Sequence, residues 1–125
     1  TEKLNTQRKN KDGTYVQRRV AKEDFGTNPC SEIILRSREF CNLSEVVIRR
    51  EDTSESLKEK VRIATILGTF QSTLTEFKYL SREWKKNCDE ERLLGVSLTG
   101  IMDNPLTNGS KKGLEILLKE LRDIA

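Results

Sequence analysis

The chain has 125 residues, the size of a single domain, and sets 23 Lys and Arg against 20 Asp and Glu for a net charge of +3. That balance gives no argument for nucleic-acid binding from charge alone, and no apolar run approaches the ~18 residues that span a membrane. Histidine is absent, which excludes Ser-His and Cys-His nucleophile pairs, HExxH metal sites and every His-based general base from this chain.

Residues 1–26 form a polar, mildly basic segment, with Lys3, Arg8, Lys9, Lys11, Arg18, Arg19 and Lys22 against Glu2, Glu23 and Asp24. A phosphate-binding arm is one reading of it. Tyr15 and Phe25 are its only aromatic residues, too few to stack on single-stranded bases, so a solvated face or linker is favoured. Thr1 to Asn10 lacks the apolar stretch of a signal peptide. Lys11-Asp12-Gly13-Thr14 predicts a turn, with Asp-Gly closing a tight hairpin.

Ile33-Ile34-Leu35 and Val46-Val47-Ile48 are β-branched and too short for helices, and predict buried strands. From Asp52 to Leu80 the apolar residues Leu57, Val61, Ala64, Leu67, Phe70, Leu74 and Phe77 recur every three or four positions, predicting one long amphipathic helix. Asp52 followed by Glu55 resembles a capping box, and Lys and Arg lie near the far end. Ser81 to Arg92 reads as a charged connection holding Trp84 and Cys88. Leu93 to Met102 predicts a third buried strand, in which Gly95 and Gly100 let backbone or ligand approach closely. Asp103-Asn104-Pro105 stops it. Asn108-Gly109-Ser110 then opens a shorter helix with Leu114, Leu117, Leu118 and Leu121 on one face.

The order of strand, helix, strand and helix predicts an α/β unit with parallel pairing. Three or so strands with open edges are part of a sheet rather than all of one. Apolar and charged residues each make up 34% of the chain, so the core is modest and leaves apolar surface for a partner to cover. The single methionine is Met102, which suits a trimmed start and an excised piece of a longer chain equally.

Cys30, Cys41 and Cys88 are an odd number of cysteines without a secretory signal, and a reducing, cytoplasmic setting is expected. Cys88 reads as an ordinary thiol rather than a metal ligand, since no Cys-x-x-Cys spacing accompanies it. Trp84 with Phe77 or Phe70 reads as core or interface. Ser97 and Thr99 could line a substrate site, although strand hydroxyls are commonly satisfied by neighbours.

The informative segment is Asn28-Pro29-Cys30-Ser31-Glu32-Ile33. Pro29 forces Asn28 into an extended conformation, and in an extended chain residues two apart point the same way. Asn28, Cys30 and Glu32 would then line up an amide, a thiol and a carboxylate on one face. Were that face enclosed, desolvation would raise the Glu32 pKa toward the range of a general base. Spacing alone favours the plainer reading, in which all three face water beside a loop.

Asn28-Pro29-Cys30-Ser31-Glu32-Ile33, followed by Cys41-Asn42-Leu43, resembles the active-site signature of ribonucleotide reductases. The stretch from Glu91 to Asp103, ERLLGVSLTGIMD, resembles a further segment of that family, R-x-x-G-V-x-x-x-G-x-x-D. The short interval between Cys30 and Cys41 is most similar to the adenosylcobalamin-dependent class, and the match runs from about residue 25 to residue 105. The resemblance implies that residues 27–125 are part of a ten-stranded α/β barrel, with the radical cysteine on a loop entering its centre.

By position, Cys30 would carry the thiyl radical that abstracts the ribose 3′-hydrogen. Glu32 would take the 3′-hydroxyl proton, and Asn28 would bind substrate or orient Glu32. Cys41 would be one half of a redox-active dithiol. The implied partners are a ribonucleoside di- or triphosphate, the remainder of the reductase chain and a thioredoxin-like reductant, with adenosylcobalamin as cofactor. No membrane or nucleic-acid partner is expected.

The family's enzyme is several times longer. Three of its parts have no counterpart here: a second upstream cysteine for Cys41, a Pro-Ser-Ala-like phosphate loop and a C-terminal cysteine pair. The isolated piece is therefore expected to be inactive. The alternative is a small α/β interaction module whose basic arm binds nucleic acid or a protein, with Asn28, Cys30 and Glu32 structural.

Overall fold

In a computed structural model, which describes residues 7–10, 12–17 and 23–125, the Asp12-Gly13 pair closes a hairpin as its sequence predicts. Strand β1 (Gln7–Lys9) pairs antiparallel with β2 (Tyr15–Gln17), Lys9 facing Tyr15. Gly13 adopts φ 87° and donates its N–H to the Asn10 carbonyl at 3.0 Å, a conformation open to glycine. The Asp12 carboxylate accepts the Thr14 hydroxyl at 2.6 Å and the Thr14 N–H at 2.9 Å. These bonds hold its carboxyl below the ordinary value, the hydroxyl bond acting most strongly. Of the basic arm, Lys3, Lys11, Arg18, Arg19 and Lys22 lie outside the described residues.

The chain divides into two units, Thr1–Glu39 and Phe40–Ala125. The first also holds β3 (Phe25–Thr27) and β4 (Ile34–Arg36), a second antiparallel hairpin in which Thr27 faces Ile34. The predicted strand at Ile33-Ile34-Leu35 therefore starts one residue later, and it is half-buried rather than buried. Glu39 closes the unit. Its buried carboxylate accepts the Arg36 N–H at 2.8 Å and lies 3.8 Å from the Arg36 guanidinium.

The second unit runs β5 (Asn42–Val47), α1 (Ser54–Ser72), α2 (Arg82–Glu91), β6 (Leu94–Thr99) and α3 (Lys111–Ile124). β5 and β6 pair in parallel, from Asn42 beside Leu94 to Val47 beside Thr99. This is the expected parallel α/β arrangement, with α1 and α2 carrying the crossover. Val46 and Ile48 pack with Leu57, Val61 and Ala64 of α1 and Leu117 and Leu121 of α3, and Val96 and Leu98 complete the cluster. Leu43 and Val47 project from the sheet and are exposed, so the described residues of this unit cover only one of its faces.

The long helix differs from its prediction in three ways. It ends at Ser72 rather than Leu80, where Thr69, Ser72 and Thr73 all turn their hydroxyls back onto helix carbonyls. Such side chains compete with the backbone ladder, and the last N–H groups close in tighter turns onto Phe70 and Gln71. Its buried stripe is Leu57, Val61, Ala64 and Gly68. Leu67 and Phe70, predicted for that stripe, are 61% and 69% exposed. Small residues win the contact because the sheet comes too near for large ones: Ser44 donates its hydroxyl to the Ala64 carbonyl at 3.0 Å, and Leu94 occupies the space where a side chain on Gly68 would go. Lastly, the cap is Thr53 with Ser56, each side chain accepting the other's N–H, rather than Asp52 with Glu55.

Ser81 to Arg92, predicted as a connection, forms helix α2. Trp84 stacks on Phe40 with ring centroids 4.5 Å apart, Phe77 meets Phe40 edge-on at 5.2 Å, and Cys88 is buried one turn beyond Trp84. The helix rests on this single aromatic stripe and on i,i+4 pairs such as Lys85–Asp89. In α3, opened by the predicted Ser110, Leu117 and Leu121 are buried while Leu118 turns outward. No helix among the described residues is long and apolar enough to cross a membrane.

Leu57 is 1% exposed, so Leu57→Ala should cost about 2–5 kcal/mol in urea unfolding, against about 0.5 kcal/mol or less for Leu67→Ser. Equal losses would contradict the observed helix face. Asp52 accepts the Lys60 ammonium at 2.6 Å and the Arg49 N–H at 2.7 Å. With Lys60 acting most strongly, its carboxyl is lowered from 3.8 to about 2. A lowered folded-state pKa contributes stability that is complete above the ordinary value and is lost as pH falls through the folded one. Asp52→Asn should therefore flatten the acid limb of stability between 3.8 and about 2, read from unfolding midpoints across that range.

Candidate active site

Residues 28–33 form the tip between β3 and β4. The Asn28 carbonyl accepts the Ser31 N–H at 2.9 Å, defining a turn with Pro29 at its second position, where the fixed φ of proline is favoured. Ser31 has φ 61°, a left-handed conformation that costs a non-glycine residue ~1–3 kcal/mol and that gathers at functional sites. The extended row of Asn28, Cys30 and Glu32 is thus not what forms. Proline restrains the residue before it, but the hairpin pairing on either side demands a reversal that an extended tip cannot supply.

The turn nevertheless brings two of the three together. The Asn28 amide donates to the Glu32 carboxylate, and its oxygen accepts the Ile33 N–H at 3.3 Å. Asn28 thereby fixes the carboxylate against the end of β4, with the Cys30 thiol exposed at the bend between them. Both Cys30 and Glu32 are exposed in this unit, so the enclosure that would tune Glu32 is not built by these residues alone.

Cys41 belongs to the second unit, one residue before β5. Asn42 pins that strand end, its N–H and its side-chain amide both reaching the Leu93 carbonyl, at 2.9 and 3.0 Å. Cys41 is half-buried and lines a cavity of about 310 Å3 with Phe40, Leu74, Phe77 and Cys88. Of the aromatic residues expected as core or interface, Phe77 lines this cavity with Cys88, Trp84 stacks on its wall residue Phe40, and Phe70 is exposed.

At the end of β6, Gly100 adopts φ 76° with the Ile48 carbonyl where a side chain would stand. The close approach expected at this glycine is made by backbone. Ser97 points to solvent with its hydroxyl 3.5 Å from the Ser44 carbonyl.

One residue read only as a strand stop has a larger part. Asn104 is 1% exposed, and its amide donates to the carbonyls of Arg49 at 2.7 Å, Arg50 at 3.3 Å and Asp52 at 2.9 Å. Its oxygen accepts the Leu106 N–H at 2.8 Å. Asn before Pro is the visible signal for such a turn, whereas the three carbonyl partners lie about fifty positions away. Among the described residues no group of three or more Cys, Asp or Glu side chains is placed to hold a metal ion.

No family model matches the chain, and no solved structure matches it significantly. Two curated proteins do. The adenosylcobalamin-dependent ribonucleoside-triphosphate reductase of Lactobacillus acidophilus is 39% identical over 79 residues, 62% of this chain and 10% of that protein. The protein of the same name from Lactobacillus gasseri is 35% identical over 94 residues, 74% of this chain and 12% of that protein. The chain thus spans about a tenth of the length of these relatives. Both names are those of the class that the interval between Cys30 and Cys41 resembles.

The three thiols differ in exposure, from Cys30 at the surface through half-buried Cys41 to buried Cys88. A thiol-reactive disulfide reagent should modify them in that order, Cys30 at least about tenfold ahead of Cys88. Mass mapping of the native chain reads the order, and faster labelling of Cys88 would contradict the placement of α2.

Proposed function

We propose that this chain is the radical-cysteine segment of a ribonucleotide reductase that replaces the ribose 2′-hydroxyl by hydrogen. The observation that carries the reading is the tip at residues 28–33, where Asn28 holds the Glu32 carboxylate across a turn that presents the Cys30 thiol. Two relatives named as reductases support it. Because both names specify triphosphates, a ribonucleoside triphosphate is the favoured substrate.

In this reading Cys30 acts as a thiyl radical. Its sulfur takes the 3′-hydrogen, so that one S–H bond forms as one C–H bond breaks. The two bonds are close enough in strength for the hydrogen to be returned at the end of the turnover. Glu32 accepts the 3′-hydroxyl proton, which eases departure of the 2′-hydroxyl as water. Asn28 holds Glu32 in the orientation that this transfer requires. Cys41 and a second thiol outside these residues supply two electrons and two protons and become a disulfide, which a thioredoxin-like dithiol reduces by exchange. Such a cycle suits a reducing, cytoplasmic compartment.

Both relatives are named as adenosylcobalamin-dependent. A thiol exposed at a hairpin tip fits one that meets such a cofactor from outside its own unit, and the bound cofactor would supply the radical chemistry. The residues that hold it are expected beyond these 125.

The βαβ arrangement of the second unit supports a place in a larger α/β barrel. One face of its sheet is uncovered, and Ile63, Ile66, Leu67, Phe70 and Leu74 form an exposed apolar stripe on α1 and just past its end. Radical chemistry needs a dry, enclosed pocket, so the chain alone should not reduce ribonucleotides. Detectable deoxyribonucleotide from it would refute that expectation. In a full-length reductase carrying this segment, Cys30→Ser should abolish turnover while nucleotide binding stays nearly unchanged. Glu32→Gln should slow the chemical step by about 100-fold or more, the scale of a lost general base. Turnover retained by the Cys30 variant would sink the assignment.

A further inference from the structure

β5 and β6 run in parallel, so their carboxyl ends, Val47 and Thr99, lie on one side of the second unit. Crevices outside the carboxyl ends of parallel strands are the recurrent ligand sites of α/β proteins. Here the two loops after the strands border an open groove of about 950 Å3, lined among others by Arg49, Arg50, Glu51, Asp103, Asn108 and Gly109. That volume is in the range of small-molecule sites. Cys41 precedes β5, at the other end of the strand, so the groove shares nothing with the Cys41 cavity.

The groove is built rather than loose. Asn104, buried beneath it, ties the carbonyls of Arg49, Arg50 and Asp52 into one loop. The Asp52 N–H returns to the Arg49 carbonyl at 3.1 Å, and the Asn108 amide reaches the Met102 carbonyl at 3.1 Å on the opposite wall. Asp52 is neutralised by Lys60. Arg49 and Arg50 are exposed, and no described residue forms an ion pair with either. Two adjacent guanidinium groups on a fixed loop offer planar, paired donors of the geometry that phosphate accepts.

We propose that this groove binds a phosphate ester, with Arg49 and Arg50 on the phosphate. Glu51 and Asp103 line the same groove and balance the two arginines, so a bare polyanion meets as much repulsion as attraction. A phosphate ester answers both signs, because its hydroxyl or amino groups can donate to the carboxylates. The site uses no residue of the Cys30 turn and stands or falls apart from the reductase reading.

The test is calorimetric titration of the 125-residue chain with ADP and, separately, with inorganic pyrophosphate. ADP should bind, with an affinity that falls as salt rises, and more tightly than pyrophosphate. The double substitution Arg49→Ala, Arg50→Ala, at exposed positions where far-UV circular dichroism should be unchanged, should weaken ADP binding at least about tenfold. Absence of ADP binding at millimolar concentration would overturn the proposal, as would binding that survives the double substitution. Pyrophosphate binding as tight as ADP would overturn the assignment to an ester.

Discussion

The second unit depends on how closely α1 lies on the β5–β6 pair. Ala64 and Gly68 face the sheet, Leu94 takes the place a Gly68 side chain would need, and Ser44 reaches the Ala64 carbonyl. At that separation large side chains are excluded from the contact line, and they collect on the flank as the exposed stripe from Ile63 to Leu74. α1 and α2 carry the crossover, so β6 runs parallel to β5 and both carboxyl ends emerge on one side.

The loops leaving those carboxyl ends are organised by hydrogen bonds rather than by apolar burial. Asn104 donates to three carbonyls of one tight loop, and Gly100 lets the chain turn against the Ile48 carbonyl. Asp52 then has a task different from capping. It joins the same loop to Lys60 on α1, while Thr53 and Ser56 take over the helix start. Unfavourable desolvation of these groups is offset because each finds a partner.

The first unit obeys a separate logic. Its two antiparallel hairpins are short, and the second carries a tip whose shape comes from Pro29 and from Ser31 in a left-handed conformation. Strain of that kind persists where flanking pairing demands it. The consequence is chemical: a carboxylate and an amide meet across the bend, and a thiol stands at its apex.

Much of this was legible in the residues themselves. The parallel pairing follows from the order of the elements, and the Asp-Gly turn, the β-branched strands and the Ser110 helix start arise from local chemistry. So does the resemblance carried by Asn28 to Ile33, Cys41 to Leu43 and Glu91 to Asp103, because residue types at fixed spacing survive without knowledge of the fold. Periodicity could not choose between the Leu57–Gly68 stripe and the Leu67–Phe70 stripe, since both repeat at helical spacing. Only the nearness of the sheet decides which residues must be small. Nor could it find α2, whose ten residues carry little apolar signal and whose stability comes from Phe40 and Phe77 across the fold. The tip at residues 28–33 is the sharpest case: the sequence specified an amide, a thiol and a carboxylate in order, and the pairing of β3 with β4 decided that the amide and the carboxylate meet across a turn that leaves the thiol exposed. Pairing of the flanking strands imposes that reversal, and Pro29 suits the turn without by itself deciding which side chains meet across it.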